Sequence, residues 1–269
     1  MTANIAYTPS YDELVAIFRQ KYSRKSSLGW GPKMRLAFGY FTPDDHYEAL
    51  VGKLLPSGAD WCDVGCGRYI FPDNHELAGQ YASRCGFVYG IDPDDNVRDN
   101  AFVNEYFQGL VEDCPIDRQF DLVTLRMVAE HIANPIAALR RVAGLMKPSG
   151  LAIIYTPHKW APMSIAATLT PFRLHNPLKR LLWTSEARDT FPTEYKLNTF
   201  VDLERNAGQA GLTQVHYIRL DDCRITNSYR SLNWLELSAR RALRVAGIPY
   251  PEACIISVLR RKEGAIELG

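Results

Sequence analysis

Several familiar signals are missing from this 269-residue sequence, and each absence argues against a class of protein. No apolar stretch approaches the ~20 residues that a helix needs to cross a bilayer, and the N-terminus lacks the basic start and apolar run of a signal peptide. The six cysteines lack the paired spacing of zinc sites and of disulfide-rich domains. The net charge of +1 offers no large basic field for nucleic acid. We therefore expect a cytoplasmic protein with no metal, no membrane span and no nucleic-acid partner.

The most informative feature present is an apolar strand followed by a glycine turn. The strand carries Asp63 near its end, and Gly65 and Gly67 follow, where a missing Cβ lets the backbone turn sharply beside a ligand. A second strand ends in Asp92, whose carboxylate suits the two hydroxyls of a ribose. This pattern is typical of a nucleotide-bearing ligand bound at the carboxyl ends of parallel strands.

Two positions around the turn bear on which ligand this is. A dinucleotide site has a third glycine where this chain has Ile70, so a pyrophosphate-binding turn is poorly supported. Asp63 would repel a pyrophosphate, whereas it would attract the sulfonium and α-amino groups of S-adenosylmethionine. The pattern therefore favours S-adenosylmethionine over NAD.

Further motifs follow in a fixed order. They are a third strand at Tyr106–Gln108 with an acidic loop at Gly109–Pro115, a fourth strand at Phe120–Arg126, a helix opened by Glu130–Pro135 and stopped by Lys147–Gly150, and a fifth strand at Leu151–Thr156. With the glycine turn, this set resembles the class I S-adenosylmethionine-dependent methyltransferases, and within them the small-molecule group that includes the quinone-biosynthesis methyltransferases. The resemblance covers about residues 58–157.

The resemblance implies a cofactor role for ten residues. The glycine turn would shape the methionine pocket, the acid ending the second strand would bind the ribose, the acidic loop would contact the adenine, and backbone at the end of the fourth strand would hold the methionine end. These residues are Asp63, Gly65, Cys66, Gly67, Asp92, Pro93, Glu112, Asp113, Leu125 and Arg126. Two departures from the family pattern, Arg68-Tyr69 and Leu110, leave the adenine partner open between the acidic side chains and backbone alone.

The implied fold is a Rossmann-like, doubly wound α/β fold, with a seven-stranded, mostly parallel sheet and an antiparallel last strand. Residues 1–57 are expected to form an N-terminal helical cap, and residues 58–269 the methyltransferase core. Further elements are predicted as helices at Tyr11–Lys21, Pro43–Leu55, Asn198–Ala210 and Asn233–Ala246, and strands at Thr213–Leu220 and Ala253–Arg260. The segment at about 158–200 is too long for an ordinary connection. We interpret it as a helical substrate-recognition insert, with a purely architectural insert or a dimer contact as alternatives.

Aromatic and histidine side chains supply the candidates for acceptor binding and catalysis. Trp30 and Tyr40 in the cap, and Trp160 and Tyr195 in the insert, are predicted substrate contacts; His46 and Tyr47 are further lid candidates. His131 after the fourth strand and His158 after the fifth are candidate general bases, because histidine has a suitable intrinsic pKa. Neither histidine is needed if positioning alone drives methyl transfer.

The sequence thus predicts methyl transfer from S-adenosylmethionine to a small molecule, with a hydroxyl oxygen favoured over nitrogen or carbon; a homodimer is compatible with it. One alternative is a methyltransferase acting on protein or RNA, which an electropositive face beside the pocket would favour. Another is a cofactor-binding or interaction protein of the same fold without transfer activity.

Overall fold

The computed structural model describes residues 7–22, 28–162, 164–165, 192–224 and 226–262. Seven strands form one sheet in the order β3-β2-β1-β4-β5-β7-β6. Strands β1 to β5 pair in parallel, and β7 runs antiparallel to both β5 and β6. The strands are β1 Asp60–Val64, β2 Phe87–Asp92, β3 Glu105–Gln108, β4 Phe120–Arg126, β5 Met146–Pro157, β6 Leu212–Leu220 and β7 Cys254–Arg261. The predicted Rossmann-like fold is confirmed.

Seven α-helices lie within the described residues. They are α1 Tyr11–Tyr22, α2 Trp30–Ala37, α3 Pro43–Leu54, α4 His75–Arg84, α5 Pro135–Leu145, α6 Phe200–Gln209 and α7 Arg230–Val245. Helix α3 begins with a reciprocal cap, in which the Thr42 hydroxyl accepts from the Asp45 amide and the Asp45 carboxylate accepts from the Thr42 amide. No helix among the described residues is long and apolar enough to cross a membrane.

The sheet buries both of its faces under helices, because successive side chains of a strand point to opposite sides. On one face, Trp61 and Leu122 pack with α1, α3 and α4. On the other, Cys62 and Val123 pack with α5 and α6. Helices α1 and α3, which are the predicted cap helices, therefore belong to the layer that covers the Trp61 face of the sheet.

Most predicted bounds outside the central motifs fall within two residues of the observed ones, and α7 begins three residues earlier than predicted. Helices α2 and α4 were not predicted. Residues 163 and 166–191 of the predicted insert lie outside the described residues, so only the two ends of that segment can be compared with the prediction.

The helix predicted between the fourth and fifth strands is present as α5, within its predicted limits. It begins at Pro135, the last residue of the predicted opening segment, because Asn134 caps it by accepting from the Ala137 amide at 3.2 Å and proline fits the first helical position. It ends at Leu145, and Met146 starts β5 by pairing with Phe120. Strand β5 is therefore longer than predicted.

Candidate active site

The glycine turn after β1 has the conformation that its sequence requires. Gly65 (φ 74°) and Gly67 (φ 44°) both lie in the left-handed region, which disfavours residues with a Cβ. A Cβ on Gly65 would also lie 2.0 Å from Cγ2 of Val128, so the turn after β1 packs directly on the chain that follows β4. Neither glycine can be replaced without strain.

Cys66, between the two glycines, is a packing residue. It is buried, and a Cβ added at Gly90 of β2 would lie 2.7 Å from its Sγ. Burial raises the pKa of the Cys66 thiol, so the thiol stays neutral. Cys66 therefore packs the glycine turn against Gly90 of β2.

Asp63 is a buried carboxyl group at the carboxyl-end half of β1. Its Oδ1 accepts from the Thr124 hydroxyl at 2.5 Å, and that hydroxyl in turn accepts from the Trp61 indole N–H at 2.8 Å. Burial raises the pKa of Asp63 to about 7, with Asp92 adding to the increase, against the lowering effects of Thr124 and Arg126. A nearby cation would favour the ionised form.

Asp92 ends β2 with its carboxylate already oriented by backbone. One oxygen accepts from the Gly67 amide at 2.9 Å and the other from the Asp94 amide at 2.8 Å. Burial raises the pKa of Asp92, and these two amides counteract the increase. Because a carboxylate can accept about four hydrogen bonds, each oxygen keeps capacity for a ligand hydroxyl. Pro93 follows and is half-buried.

The loop that we predicted to contact the adenine lies beside Asp92. The Gly109 amide donates to the Asp92 carbonyl at 3.0 Å, and Val111–Asp113 form one 3-10 turn. Glu112 is half-buried and Asp113 exposed, while Leu110 is half-exposed at the position where we noted a departure from the family. The fold therefore brings this loop to the edge of the sheet that carries Asp92.

The end of β4 combines a buried residue with a strained one. The Leu125 side chain is fully buried, so only its backbone can face a ligand. Met127, two residues further on, has φ 52°, a conformation that residues with a Cβ rarely adopt. Its amide donates to the Tyr155 carbonyl of β5 at 2.8 Å. Such strain persists where the surroundings enforce it and is common at functional sites; no sequence signal pointed to Met127.

Arg126 takes part in a charge network that the sequence did not reveal. Its guanidinium donates to Asp44 of α3 at 2.8 Å. Arg224, in the connection after β6, pairs with the other Asp44 oxygen and with Asp222. Burial alone would raise the pKa of Asp44, but the two guanidiniums outweigh it and hold the pKa well below its ordinary value. These ion pairs link α3 to β4 and to the connection between β6 and β7.

The two aromatic cap residues that we predicted as substrate contacts have different surroundings. Tyr40 is fully buried; its hydroxyl accepts from the Cys223 amide at 2.9 Å and donates to Asp222 at 3.3 Å. Trp30 is half-buried, with the Arg230 guanidinium 5.7 Å from its ring centroid. Tyr40 is thus positioned as a support for the charge network, while Trp30 lies next to α7.

The two further lid candidates are neighbours on α3. Tyr47 is fully buried and stacks on Tyr155 with ring centroids 5.2 Å apart. His46 is half-buried, and burial lowers its pKa to about 4, so its ring is neutral at physiological pH. Tyr47 faces the end of β5, next to Arg126, whose guanidinium carbon is 6.0 Å from the centroid of the Tyr155 ring.

The two candidate bases have different surroundings. His131 ends a 3-10 turn after β4, and its Nδ1 lies 2.9 Å from the Pro192 carbonyl oxygen. His158 follows β5, and its Nε2 is 3.7 Å from a carboxylate oxygen of Glu252. Both lie at the carboxyl-end edge of the sheet, as predicted, but on neighbouring strands with separate partners.

Glu130, which the sequence reasoning did not single out, fixes the returning end of the insert. Its buried carboxylate accepts from Thr156 at 2.9 Å, and Thr156 also accepts from Asn198 at 2.7 Å. Its carbonyl accepts from the amides of Glu194 and Tyr195. Burial raises the pKa of Glu130. The only sequence signal was its place between β4 and His131.

The two predicted insert contacts lie at its opposite ends. Trp160 is 64% exposed, and the Lys159 ammonium is 5.6 Å from its ring centroid. Tyr195 has φ 49° and is half-buried. Tyr195 is therefore held beside Glu130, whereas Trp160 projects outward. Among the described residues, no group of three or more histidine, cysteine or acidic side chains is arranged to hold a metal ion.

Comparison with known proteins finds a matching family profile, a similar protein sequence and two similar solved structures. A family profile described as "Methyltransferase domain" matches residues 41–217, about two thirds of the chain. A ubiquinone biosynthesis O-methyltransferase of Vibrio vulnificus is 26% identical over 181 residues, which cover 65% of this chain and 72% of that protein. Among solved structures, a TehB-like SAM-dependent methyltransferase from Corynebacterium glutamicum is similar at a TM-score of 0.47 and 15% identity, covering 86% and 94% of the two chains. A geranyl diphosphate C-methyltransferase from Streptomyces coelicolor gives 0.49 and 13%, covering 80% and 75%.

Proposed function

We propose that this chain, which belongs to the methyltransferase domain family and takes its methyl group from S-adenosylmethionine, transfers that group to a hydroxyl oxygen of a small molecule. The observation that carries the cofactor part of the proposal is the pair of buried carboxyl groups, Asp63 and Asp92, on either side of the left-handed glycine turn. The O-methyltransferase name of the Vibrio vulnificus relative supports oxygen as the acceptor atom.

The residues present fit the ribose end of the cofactor. Both oxygens of Asp92 are fixed by backbone amides and keep acceptor capacity, which suits a vicinal diol. A Cβ on Gly67 would lie 3.9 Å from the Asp92 carboxylate, so glycine keeps the space above that carboxylate open. We assign Asp92 to the ribose on this basis.

The methionine end of the cofactor is matched by charge. Asp63 is a buried acid with a raised pKa, and a cationic α-amino group beside it would compensate its ionisation. Arg126, whose charge already acts on Asp63, offers a cation of the sign that an α-carboxylate needs. We assign Asp63 to the amino group and Arg126 to the carboxylate.

His131 is the better placed of the two candidate bases. The Pro192 carbonyl can only accept a hydrogen bond, so the contact requires the proton on Nδ1, and Nε2 is then the basic nitrogen of the neutral ring. His158 instead lies within 3.7 Å of Glu252, away from the β4 end. We therefore assign the removal of the acceptor's hydroxyl proton to Nε2 of His131.

The remaining work of the protein is positioning and exclusion of water. The cofactor supplies a methyl carbon that its sulfonium has activated, so the acceptor oxygen has only to be aligned behind that carbon. Glu130 holds the 192–198 segment at the ends of β4 and β5. That segment restricts where an acceptor can lie.

Transfer of a labelled methyl group to a panel of catechols, phenols, aliphatic alcohols and amines tests the function. We expect label in one class of hydroxyl compound. Transfer to amines alone would contradict the choice of oxygen, and no transfer to any compound despite tight cofactor binding would favour the non-catalytic alternative.

Calorimetry with S-adenosylmethionine tests the ribose assignment. Asp92→Ala should weaken binding at least tenfold, because each hydrogen bond to a charged group contributes about 1.5–3 kcal/mol. The matched control is Asp95→Ala, an exposed acid of the same loop, which should bind like the wild type. Equal affinity for the two variants would remove the assignment.

Single-turnover rates with the identified acceptor test the base. His131→Ala should slow transfer about a hundredfold with unchanged cofactor affinity, and His158→Ala serves as the comparison. If neither variant slows transfer, positioning alone is responsible.

A further inference from the structure

Helix α7 presents apolar side chains to solvent instead of to the protein. Asn233 and Leu237 are its buried residues. Fourteen large apolar side chains are exposed in the described part of the chain, and six of them lie between residues 229 and 248. They are Tyr229, Leu232, Trp234, Leu235, Val245 and Ile248. Single exposed apolar residues are normal, whereas such a cluster marks an interaction surface.

Four of the exposed residues, Leu232, Trp234, Leu235 and Val245, share one side of the helix. At about 100° per residue, a continuous arc of α7 contains no charged side chain. The arc, which we call the apolar arc, consists of Trp234, Val245, Ser238, Ser231, Ala242, Leu235, Ala239 and Leu232.

Three polar residues of α7 contact the protein. Asn233 donates to the Cys223 carbonyl at 3.2 Å, Arg240 pairs with Asp221, and the Glu236 carboxylate accepts from the Tyr250 hydroxyl at 3.3 Å. The helix is therefore anchored mainly through polar contacts, and Leu237 is its buried apolar residue.

Arginines line one border of the apolar arc. Helix positions place Arg230 and Arg241 next to one another, with Trp234 adjoining them on the arc. Both arginines are exposed, and Glu236 is the only acid of the helix. An apolar face with a tryptophan at its edge and arginines beside it is the pattern of a helix that lies in a membrane interface.

We propose that the apolar arc of α7 docks this enzyme on an anionic lipid bilayer, with Arg230 and Arg241 on the headgroups. Anionic headgroups complement the arginine border and the acyl boundary accepts the uncharged arc. A second copy of the chain fits less well, because a symmetric contact through α7 would bring the arginines of both copies together with little acidic charge to offset them.

The docked helix would lie at the edge of the sheet where the active site is. Strand β6 ends at Leu220, which pairs with Cys254 at the start of β7, so both ends of the α7 connection are at this edge. The same connection carries Arg224, which pairs with Asp44. Membrane docking does not depend on the identity of the acceptor and can be tested without activity.

Co-sedimentation with vesicles tests the docking. The wild type should pellet with phosphatidylcholine vesicles containing about one quarter phosphatidylglycerol and stay largely in solution with phosphatidylcholine alone, and added salt should weaken the binding. Leu235→Glu should reduce the partition coefficient about tenfold, and Arg241→Gln about fivefold. The matched control is Val201→Glu, which alters an exposed apolar residue on α6 and should bind like the wild type.

Tryptophan fluorescence reports directly on the contact. Brominated lipids in the anionic vesicles should quench the wild type, and Trp234→Phe should lose that quenching while still pelleting. Unchanged calorimetric affinity for S-adenosylmethionine in Leu235→Glu would show that the variant is folded.

Four results would overturn the proposal. The wild type could fail to bind anionic vesicles, or Leu235→Glu could bind them as the wild type does. Sedimentation equilibrium could show a wild-type dimer that Leu235→Glu dissociates, which would make a second copy the occupant. Protection of Trp234 from an aqueous quencher in the lipid-free enzyme would instead make the segment at 166–191 the occupant.

Discussion

In the cofactor half of the site, the acidic groups come from two short strand ends, whereas the charge network around Asp44 draws its charges from segments far apart in sequence. The cofactor half includes Asp63, the glycine turn and Asp92, which neighbouring parallel strands bring together. The charge network depends on Asp44, which is 82 residues from Arg126 and 180 from Arg224. Local patterns therefore predict the acids and the turn, and only the folded chain reveals the network.

Removing the centre of the charge network should have the largest effect. Asp44→Ala leaves Arg126 without its carboxylate, whereas Arg224 keeps Asp222. Breaking a largely buried pair on one side costs about 3 kcal/mol, so we expect the free energy of unfolding in urea to fall by that amount. The exposed Asp12 of α1 provides the control, since Asp12→Ala should change stability by less than about 0.5 kcal/mol.

The same variant shows how far cofactor binding depends on the charge network. We expect the folded Asp44→Ala protein to bind S-adenosylmethionine within about tenfold of the wild type, equivalent to about 1.4 kcal/mol. A stability loss below about 1 kcal/mol would mean that the charge network contributes little to stability, and complete loss of cofactor binding would mean that the network is part of the cofactor site.

Disturbing the glycine turn should have the next largest effect. Gly65→Ala places a Cβ against Val128 in a left-handed backbone, so we expect a loss of about 2 kcal/mol in the free energy of unfolding and weaker cofactor binding. Gly39→Ala is the matched control, because Gly39 has φ 60° with no atom within 4 Å of the added Cβ. It should lose about 1 kcal/mol from backbone strain alone.

The difference between the two glycine variants measures the contact between the turn after β1 and the chain after β4. Adding Val128→Ala to Gly65→Ala should recover part of the lost cofactor affinity. Equal losses for Gly65→Ala and Gly39→Ala would show that this contact is unimportant.

Titration of Asp63 should give the smallest effect. Its pKa of about 7 means that the carboxyl ionises as pH rises through neutrality, and the ionised form attracts the cationic cofactor. Affinity for S-adenosylmethionine, measured by calorimetry, should be about tenfold weaker at pH 6 than at pH 8. Asp63→Asn should remove most of this dependence; an unchanged pH profile in that variant would assign it to another group.

The same ionisation acts in the opposite direction on the ligand-free enzyme. A carboxyl whose pKa is raised from 3.8 to about 7 on folding contributes stability below its unfolded pKa, and that contribution is lost as pH rises towards 7. Cofactor binding and ligand-free stability should therefore respond to pH with opposite signs.

Much of the fold could be predicted because its signals are local. The five central strands, the glycine turn and most outer elements follow from apolar runs and turn residues near in sequence. The start of β5 was missed because Lys147-Pro-Ser-Gly150 is typical of a helix end, whereas pairing of Met146 with Phe120 extends the strand across it. A strand partner distant in sequence decided the outcome there.

The candidate site could likewise be predicted only where its residues follow from local sequence patterns. The positions of Asp63 and Asp92 follow from strand ends, but the partner of Arg126 and the anchoring of Tyr195 on Glu130 depend on side chains from separate elements. The sequence also did not predict that the apolar arc of α7 faces solvent, because a helical period identifies two faces without indicating which of them meets the protein.

The shared carboxylate of Asp44 also bears on the order of events during synthesis. Helix α3 leaves the ribosome early, but burial of its acid is unfavourable until Arg126 follows, and the second pairing waits for Arg224, 180 residues later. The β1–β4 region that forms the cofactor half is complete well before that point, since domains are synthesised from the N-terminus. The nascent chain can therefore assemble the cofactor half first, and the second ion pair of Asp44 can form only when the penultimate strand has emerged.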